Sequence, residues 1–199
     1  MTLNPQKKAA IAVLASLLIV FGLGMGVYVF PSASNQGYSP TQPIPYSHKL
    51  HAGDLKIACQ YCHVAAEKSH HATVPGVGIC MNCHKVVKTD SPWIQQIQKA
   101  YESGEQIEWI RIHNLPDHAH FPHNRHVNAG LACQTCHGPI QEMEKVYQYA
   151  PLDMGWCINC HRGETTPGAI KAKFSEQWRS GPNWREGQVA PTNCVTCHY

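Results

Sequence analysis

All ten cysteines and five of the fourteen histidines of this 199-residue chain fall into one repeated pattern, Cys-x-x-Cys-His. The copies are Cys59-Gln-Tyr-Cys62-His63, Cys80-Met-Asn-Cys83-His84, Cys133-Gln-Thr-Cys136-His137, Cys157-Ile-Asn-Cys160-His161 and Cys194-Val-Thr-Cys197-His198. Two thiols about one helical turn apart can add to the two vinyl groups of one porphyrin, and the adjacent histidine reaches its iron. The pattern is that of c-type haem attachment, so the sequence implies five covalently attached haem c groups and one-electron chemistry. Competing uses of the cysteines fail. Zinc sites pair two Cys-x-x-Cys knuckles into a tetrahedral set, and five knuckles leave one over. A disulfide framework does not place histidine after every pair, and a thioredoxin-like redox motif occurs once.

If every iron is bis-histidine, five further ligands are needed beside the proximal His63, His84, His137, His161 and His198. Nine histidines remain: His48, His51, His70, His71, His113, His118, His120, His123 and His126. His48, His51, His123 and His126 have the strongest claim. They hold matched positions in an internal repeat, and their i, i+3 spacing puts two rings on one side of a turn, able to serve two different haems. His113, after an apolar run and before Asn-Leu-Pro, is taken as the fifth. His70 and His71 are adjacent, so their rings diverge and at most one can serve; His118 and His120 rank below His113. Met143 and Met154 compete as thioether ligands that would raise a haem's potential, or act as soft filler against porphyrin. All five motifs are regular and ligands outnumber irons, which favours electron transfer over catalysis at an open iron.

The repeat organises the chain. Tyr46-Ser-His48-x-x-His51, Gly53 and Ile57-Ala-Cys59 are matched by Phe121-Pro-His123-x-x-His126, Gly130 and Leu131-Ala-Cys133. Gly78-Ile-Cys80-Met-Asn-Cys83-His84-Lys85 is matched by Gly155-Trp-Cys157-Ile-Asn-Cys160-His161-Arg162. Residues 46–89 and 121–165 are therefore two dihaem units of one design, with the fifth site at 194–198, in one pentahaem cytochrome c domain over 46–199. Between the units, Ser91 or Asp90 can cap a helix that Pro92 begins and Gly104 stops, with Ile94, Ile97 and Tyr101 on one face. Residues 107–111 read as a short strand or extended run. A second stripe, Ile170, Phe174 and Trp178, follows Thr166-Pro167. The fold class is a mostly irregular, class III-like multihaem cytochrome c with short α-helices and very little sheet. At roughly 34 residues per haem outside the membrane segment, five separate domains are excluded and the haems must share walls.

Residues 9–30 carry no charge and are long enough to span a bilayer. Lys7 and Lys8 precede them, favouring a cytoplasmic N-terminus. The expectation is a transmembrane anchor over 1–30, with the haem domain on the periplasmic, outer face of the plasma membrane. A cleaved signal peptide is the competing reading, although its apolar core is typically about 7–15 residues. Residues 31–45, rich in Ser, Pro, Gln and Gly, read as an extended linker. The net charge of +3 comes without a basic run or a nucleic-acid motif, so nucleic acid is not an expected partner.

Three stretches carry a family resemblance: Pro43-Ile-Pro-Tyr-Ser-His-Lys-Leu-His-Ala-Gly; Arg111-Ile-His-Asn-Leu-Pro-Asp with Phe121-Pro-His-x-x-His; and Met154-Gly-Trp-Cys-x-x-Cys-His. From Pro43 to Tyr199 the chain resembles the membrane-anchored pentahaem cytochrome c subunit of alternative complex III. It is also similar to the multihaem subunits of quinone reductase complexes, which usually carry a further haem. The resemblance implies an electron-transfer subunit, without a substrate site of its own, in a respiratory quinol-oxidising complex. Its partners would be an iron–sulfur subunit resembling molybdopterin oxidoreductases, quinol-binding integral membrane subunits and a monohaem cytochrome c. Electrons would leave to a periplasmic carrier or a terminal oxidase. Two other readings stay open: a self-contained membrane-anchored quinol dehydrogenase, and a soluble shuttle released by cleavage.

Overall fold

The computed structural model describes residues 4–175 and 187–199, and every regular element among them is helical. Helix α1, Pro5–Ser34, starts with Asn4, whose side chain accepts the Gln6 amide at 3.2 Å, and with proline at its first position. It ends where Asn35 turns left-handed (φ 51°). The apolar stretch Pro5–Tyr28 has a mean hydropathy of 2.5 and none of it is buried by the rest of the chain. Its length, about 36 Å of helix, suits a bilayer core; a membrane anchor and a signal sequence share this form.

The helix runs beyond residue 30, and residues 35–45 pack against the domain. Asn35 Nδ2 donates to the Ile112 carbonyl at 3.2 Å, and Gln36 Nε2 to the Tyr149 carbonyl at 2.8 Å. Ile44 enters the core at 4% exposure. Gln42 donates to the Ile110 carbonyl and accepts its amide, both at 2.8 Å. An amide side chain thus takes the place of a neighbouring strand beside the extended run expected at 107–111. The hub of this region is Gln148, the largest fully buried side chain among the described residues. Its Nε2 donates to the carbonyls of Ser34 (2.7 Å), Ala150 (3.1 Å) and Pro151 (3.3 Å), while its Oε1 accepts the Asn114 amide (3.1 Å).

Each attachment motif folds as a short helical turn. These turns are α2 Cys59–Cys62, the C-terminal half of α3 Val77–His84, α6 Gln134–His137, the C-terminal half of α7 Met154–His161, and a 3-10 turn at Cys194–Thr196. The amphipathic α4, Pro92–Ser103, packs on α3, with Ser91 before it and Gly104 (φ 77°) closing it. The buried cluster is Ile44, Val77, Met81, Ile94, Ile97 and Ala100. Ala100, rather than Tyr101, completes the inward face; the Tyr101 ring lies under the Lys85 ammonium at 5.5 Å. Late in the chain α8, Gly168–Ser175, carries Ile170 and Phe174, and Trp178 lies outside the described residues.

Candidate haem sites

The two His-x-x-His pairs are built by the same local device on different turns. In the first unit, residues Lys49–Asp54 form a π-helical turn entered at His48; in the second, α5 is His123–Asn128. The second histidine of each pair donates Nδ1–H to the carbonyl four residues earlier: His51 to Ser47 at 2.9 Å, His126 to Pro122 at 3.0 Å. An aromatic ring then wedges each pair. Tyr46 meets His48 edge-on (4.9 Å) and stacks on His51 (4.5 Å); Phe121 meets His123 edge-on (5.3 Å) and lies over His126 (4.2 Å). These aromatics hold matched repeat positions, which is the signal by which they could have been found. The π turn also needs Gly53, since a Cβ there would collide with the Gln141 carbonyl.

Every proximal histidine has one other histidine facing it. Ring centres are 6.5 Å apart for His48 and His63, 6.3 Å for His51 and His84, 6.2 Å for His123 and His137, and 6.0 Å for His126 and His161. The fifth pair is His118 and His198, at 5.5 Å. Imidazole nitrogen binds a first-row metal at about 2.0–2.1 Å, so two rings on opposite sides of one iron have centres roughly 6.3 Å apart. The first four gaps match that value and the fifth is somewhat shorter. The proximal Nδ1 atoms are engaged: His63 by the Thr73 carbonyl (2.8 Å), His84 by Val87 (3.0 Å), His161 by Pro191 (2.6 Å), His198 by His118 (2.7 Å) and His137 by Nε2 of His113 (3.2 Å). That leaves Nε2 as the nitrogen able to coordinate on each.

His113 therefore stands behind His137, with ring centres 4.4 Å apart and planes at 79°, rather than across a gap from a proximal ring. His118 occupies the position facing His198. His120 stacks on Tyr199 at 4.3 Å, and His70 and His71 are exposed. Met143 is buried, with its carbonyl accepting the Lys49 amide at 3.0 Å, whereas Met154 is 70% exposed at the start of α7.

Burial favours the neutral form of five of the histidines, the form in which an imidazole can ligate a metal. It pushes His137 down to about 3, helped by His113, His123, His63 and His48 around it, and His48 down to about 4. His113, His123 and His126 are lowered for the same first reason. In the midst of this cluster Nδ1 of His48 is buried without a hydrogen-bond partner.

Thiol neighbours give the spatial series. Burial, then Cys80 and the other thiols nearby, raises Cys62; burial, then Cys59, raises Cys133. Burial, then Cys160 and Cys157, pushes Cys136 up to about 11, and burial, then Cys197, does the same for Cys157. Thiols of different motifs are thus neighbours: Cys62 of Cys80, Cys133 of Cys59, Cys136 of Cys160 and Cys157, and Cys157 of Cys197.

None of the ten cysteines forms a disulfide, and among the described residues no group of three or more His, Cys, Asp or Glu side chains is placed to hold a bare metal ion. The donor set fits haem instead, which brings its own four nitrogens and asks the protein for a histidine above, a histidine below and two thiols at its edge.

Residues 119–199 match the family described as cytochrome c7 and related cytochrome c. Over 176 residues, 77% of this chain and 82% of the relative, the sequence is 27% identical to a menaquinone reductase, multihaem cytochrome c subunit, of Nitratidesulfovibrio vulgaris strain Hildenborough. Neither likeness is specifically to the pentahaem component of alternative complex III. The helix-rich domain with its attachment motifs is a multihaem cytochrome c domain behind one N-terminal apolar helix, and its class of activity is electron transfer.

Proposed function

We propose that this chain is the membrane-anchored electron-transfer subunit of a respiratory quinol-oxidising complex, carrying five haem c groups. The observation that carries the proposal is the set of five facing histidine pairs, one for each attachment motif. The pairs His48/His63, His51/His84, His123/His137, His126/His161 and His118/His198 would hold the five irons, with both methionines outside the ligand set. Bound haem supplies reversible one-electron transfer.

The residues of the chain do the rest. The thiols fix each group, the i, i+3 histidines lock neighbours together, and Tyr46 and Phe121 hold those histidines rigid. The spatial series of thiols supports a single line of haems whose ends are the sites at Cys80 and Cys194. The latter is the more open, since Cys194, His198 and Tyr199 are all exposed, and it is a natural place for electrons to enter or leave.

The relative's role in a menaquinone reductase supports a partnership with quinol-binding integral subunits. The resemblance to the pentahaem component of alternative complex III adds an iron–sulfur protein and a monohaem cytochrome c as partners, with a periplasmic carrier or terminal oxidase as acceptor. The uncharged run of residues 9–30, longer than the roughly 7–15 residues of a typical signal core, supports a retained anchor, and Lys7 and Lys8 before it support a haem domain on the outer face. Mild solubilisation of the native membrane tests this reading. The chain should co-purify with quinol-binding subunits, give five haems per chain by pyridine haemochrome, and not oxidise quinol when isolated. Quinol oxidation by the isolated chain would mark a self-contained dehydrogenase, and a mature start near Ser32–Ser34 a soluble shuttle.

A further inference from the structure

Four of the five proximal histidines rest their Nδ1 against backbone carbonyls; His137 alone rests on a side chain, Nε2 of His113. A histidine that binds iron through Nε2 carries its proton on Nδ1 and must donate it. His113 Nε2 is then the acceptor, and the remaining proton of His113 sits on its own Nδ1.

The segment that presents His113 is fixed on both sides. The Ile112 carbonyl accepts from Asn35 Nδ2 at 3.2 Å, the His113 carbonyl accepts from Arg111 Nε at 3.0 Å, and the Asn114 amide donates to Oε1 of buried Gln148 at 3.1 Å. An imidazole nitrogen is a stronger base than an amide carbonyl. A stronger acceptor behind a ligating histidine raises the basicity of that ligand. A more basic ligand favours ferric over ferrous iron.

We propose that His113 is a positioning residue for His137, making it the strongest donor of the five proximal ligands and lowering the potential of the haem attached at Cys133 and Cys136. This rests on the reading of His137 as an iron ligand. The site sits in the middle of the spatial series, so a low potential there places a step inside the line rather than at either end.

The test uses the full-length holo-protein and its His113→Ala and His113→Gln variants, with spectro-electrochemical titration, haem quantitation and EPR. His113→Ala should keep five low-spin haems and raise one of the five potentials by about tenfold in the one-electron equilibrium, about 59 mV. His113→Gln restores an amide oxygen like that behind the other four ligands and should raise the same potential by less. Where the alanine variant does not assemble, the glutamine variant carries the comparison against wild type. Five low-spin haems with unchanged potentials in the variant overturn the inference and leave the functional reading intact. A new high-spin haem makes His113 an axial ligand itself and also overturns it. A wild-type protein without a haem at Cys133 and Cys136 fails the functional reading instead.

Discussion

Replacing His118 by alanine separates the ligand assignment of the fifth site from its rivals. His118 is the ring facing His198 at 5.5 Å, and both residues are exposed. No other described side chain is poised to replace it. His120 is stacked on Tyr199, and its amide is tied to the Cys197 carbonyl at 2.8 Å. Met154 lies at the surface on the first residue of α7. The variant should therefore keep all five covalent haems but leave one iron five-coordinate. One site in five amounts to about 0.2 high-spin haem per total haem, with carbon monoxide binding to the reduced protein in the same ratio and none in wild type. EPR of the oxidised protein and a carbon monoxide titration of the reduced protein measure both. His120→Ala, made alongside, should give neither signal. A wholly low-spin His118→Ala protein, with the high-spin form arising in His120→Ala or Met154→Leu instead, would refute the assignment.

Phe121→Leu keeps bulk but loses the ring contacts with His123 and His126. It should cost about 0.5–1.5 kcal/mol, seen in calorimetry as about 2–4 °C of melting temperature per kcal/mol, while all haems stay low-spin. Gly53→Ala drives a methyl into the Gln141 carbonyl and should destabilise by about 1–3 kcal/mol in denaturant titrations. Gly168→Ala, at a position with nothing within 4 Å, should be close to neutral. Gln148→Leu strips hydrogen bonds from Asn114 and from the Ser34, Ala150 and Pro151 carbonyls. At about 1–3 kcal/mol for each buried group left unsatisfied, it should be the most damaging single change outside the haem ligands and should open residues 34–38 to limited proteolysis.

The sequence made the attachment motifs and the four repeat histidines plain, because covalent chemistry fixes spacing and a repeat exposes matched positions. His118 could not be read this way. Its partner His198 lies 80 residues away, and no second copy of that unit exists to mark it. His113 drew attention by following an apolar run, but the run reflects packing of Ile107 and Trp109 on the core, and the ring ends up behind His137. Composition rich in Ser, Pro, Gln and Gly suggests an extended linker over 31–45, yet Asn35, Gln36 and Gln42 hydrogen-bond the backbone of Ile112, Tyr149 and Ile110. For α4, periodicity gave the inward face within one residue, since Ala100 and Tyr101, at i+6 and i+7 from Ile94, flank the stripe's next position and only packing decides between them.

The Gln148 hub also has a consequence for the order in which the protein is made. It joins Ser34, Asn35 and Asn114 to residues 148–151, across separations of 34, 113 and 114 positions along the chain. A chain delivered N-terminus first cannot close this knot until residue 151 has arrived, and contacts of such long separation form late. The first three attachment motifs all precede residue 148 in the chain, so on the proposed reading their thiols are made before this closure is possible. Closure then draws the foot of α1, the His113 segment and the far side of the second unit together in one event.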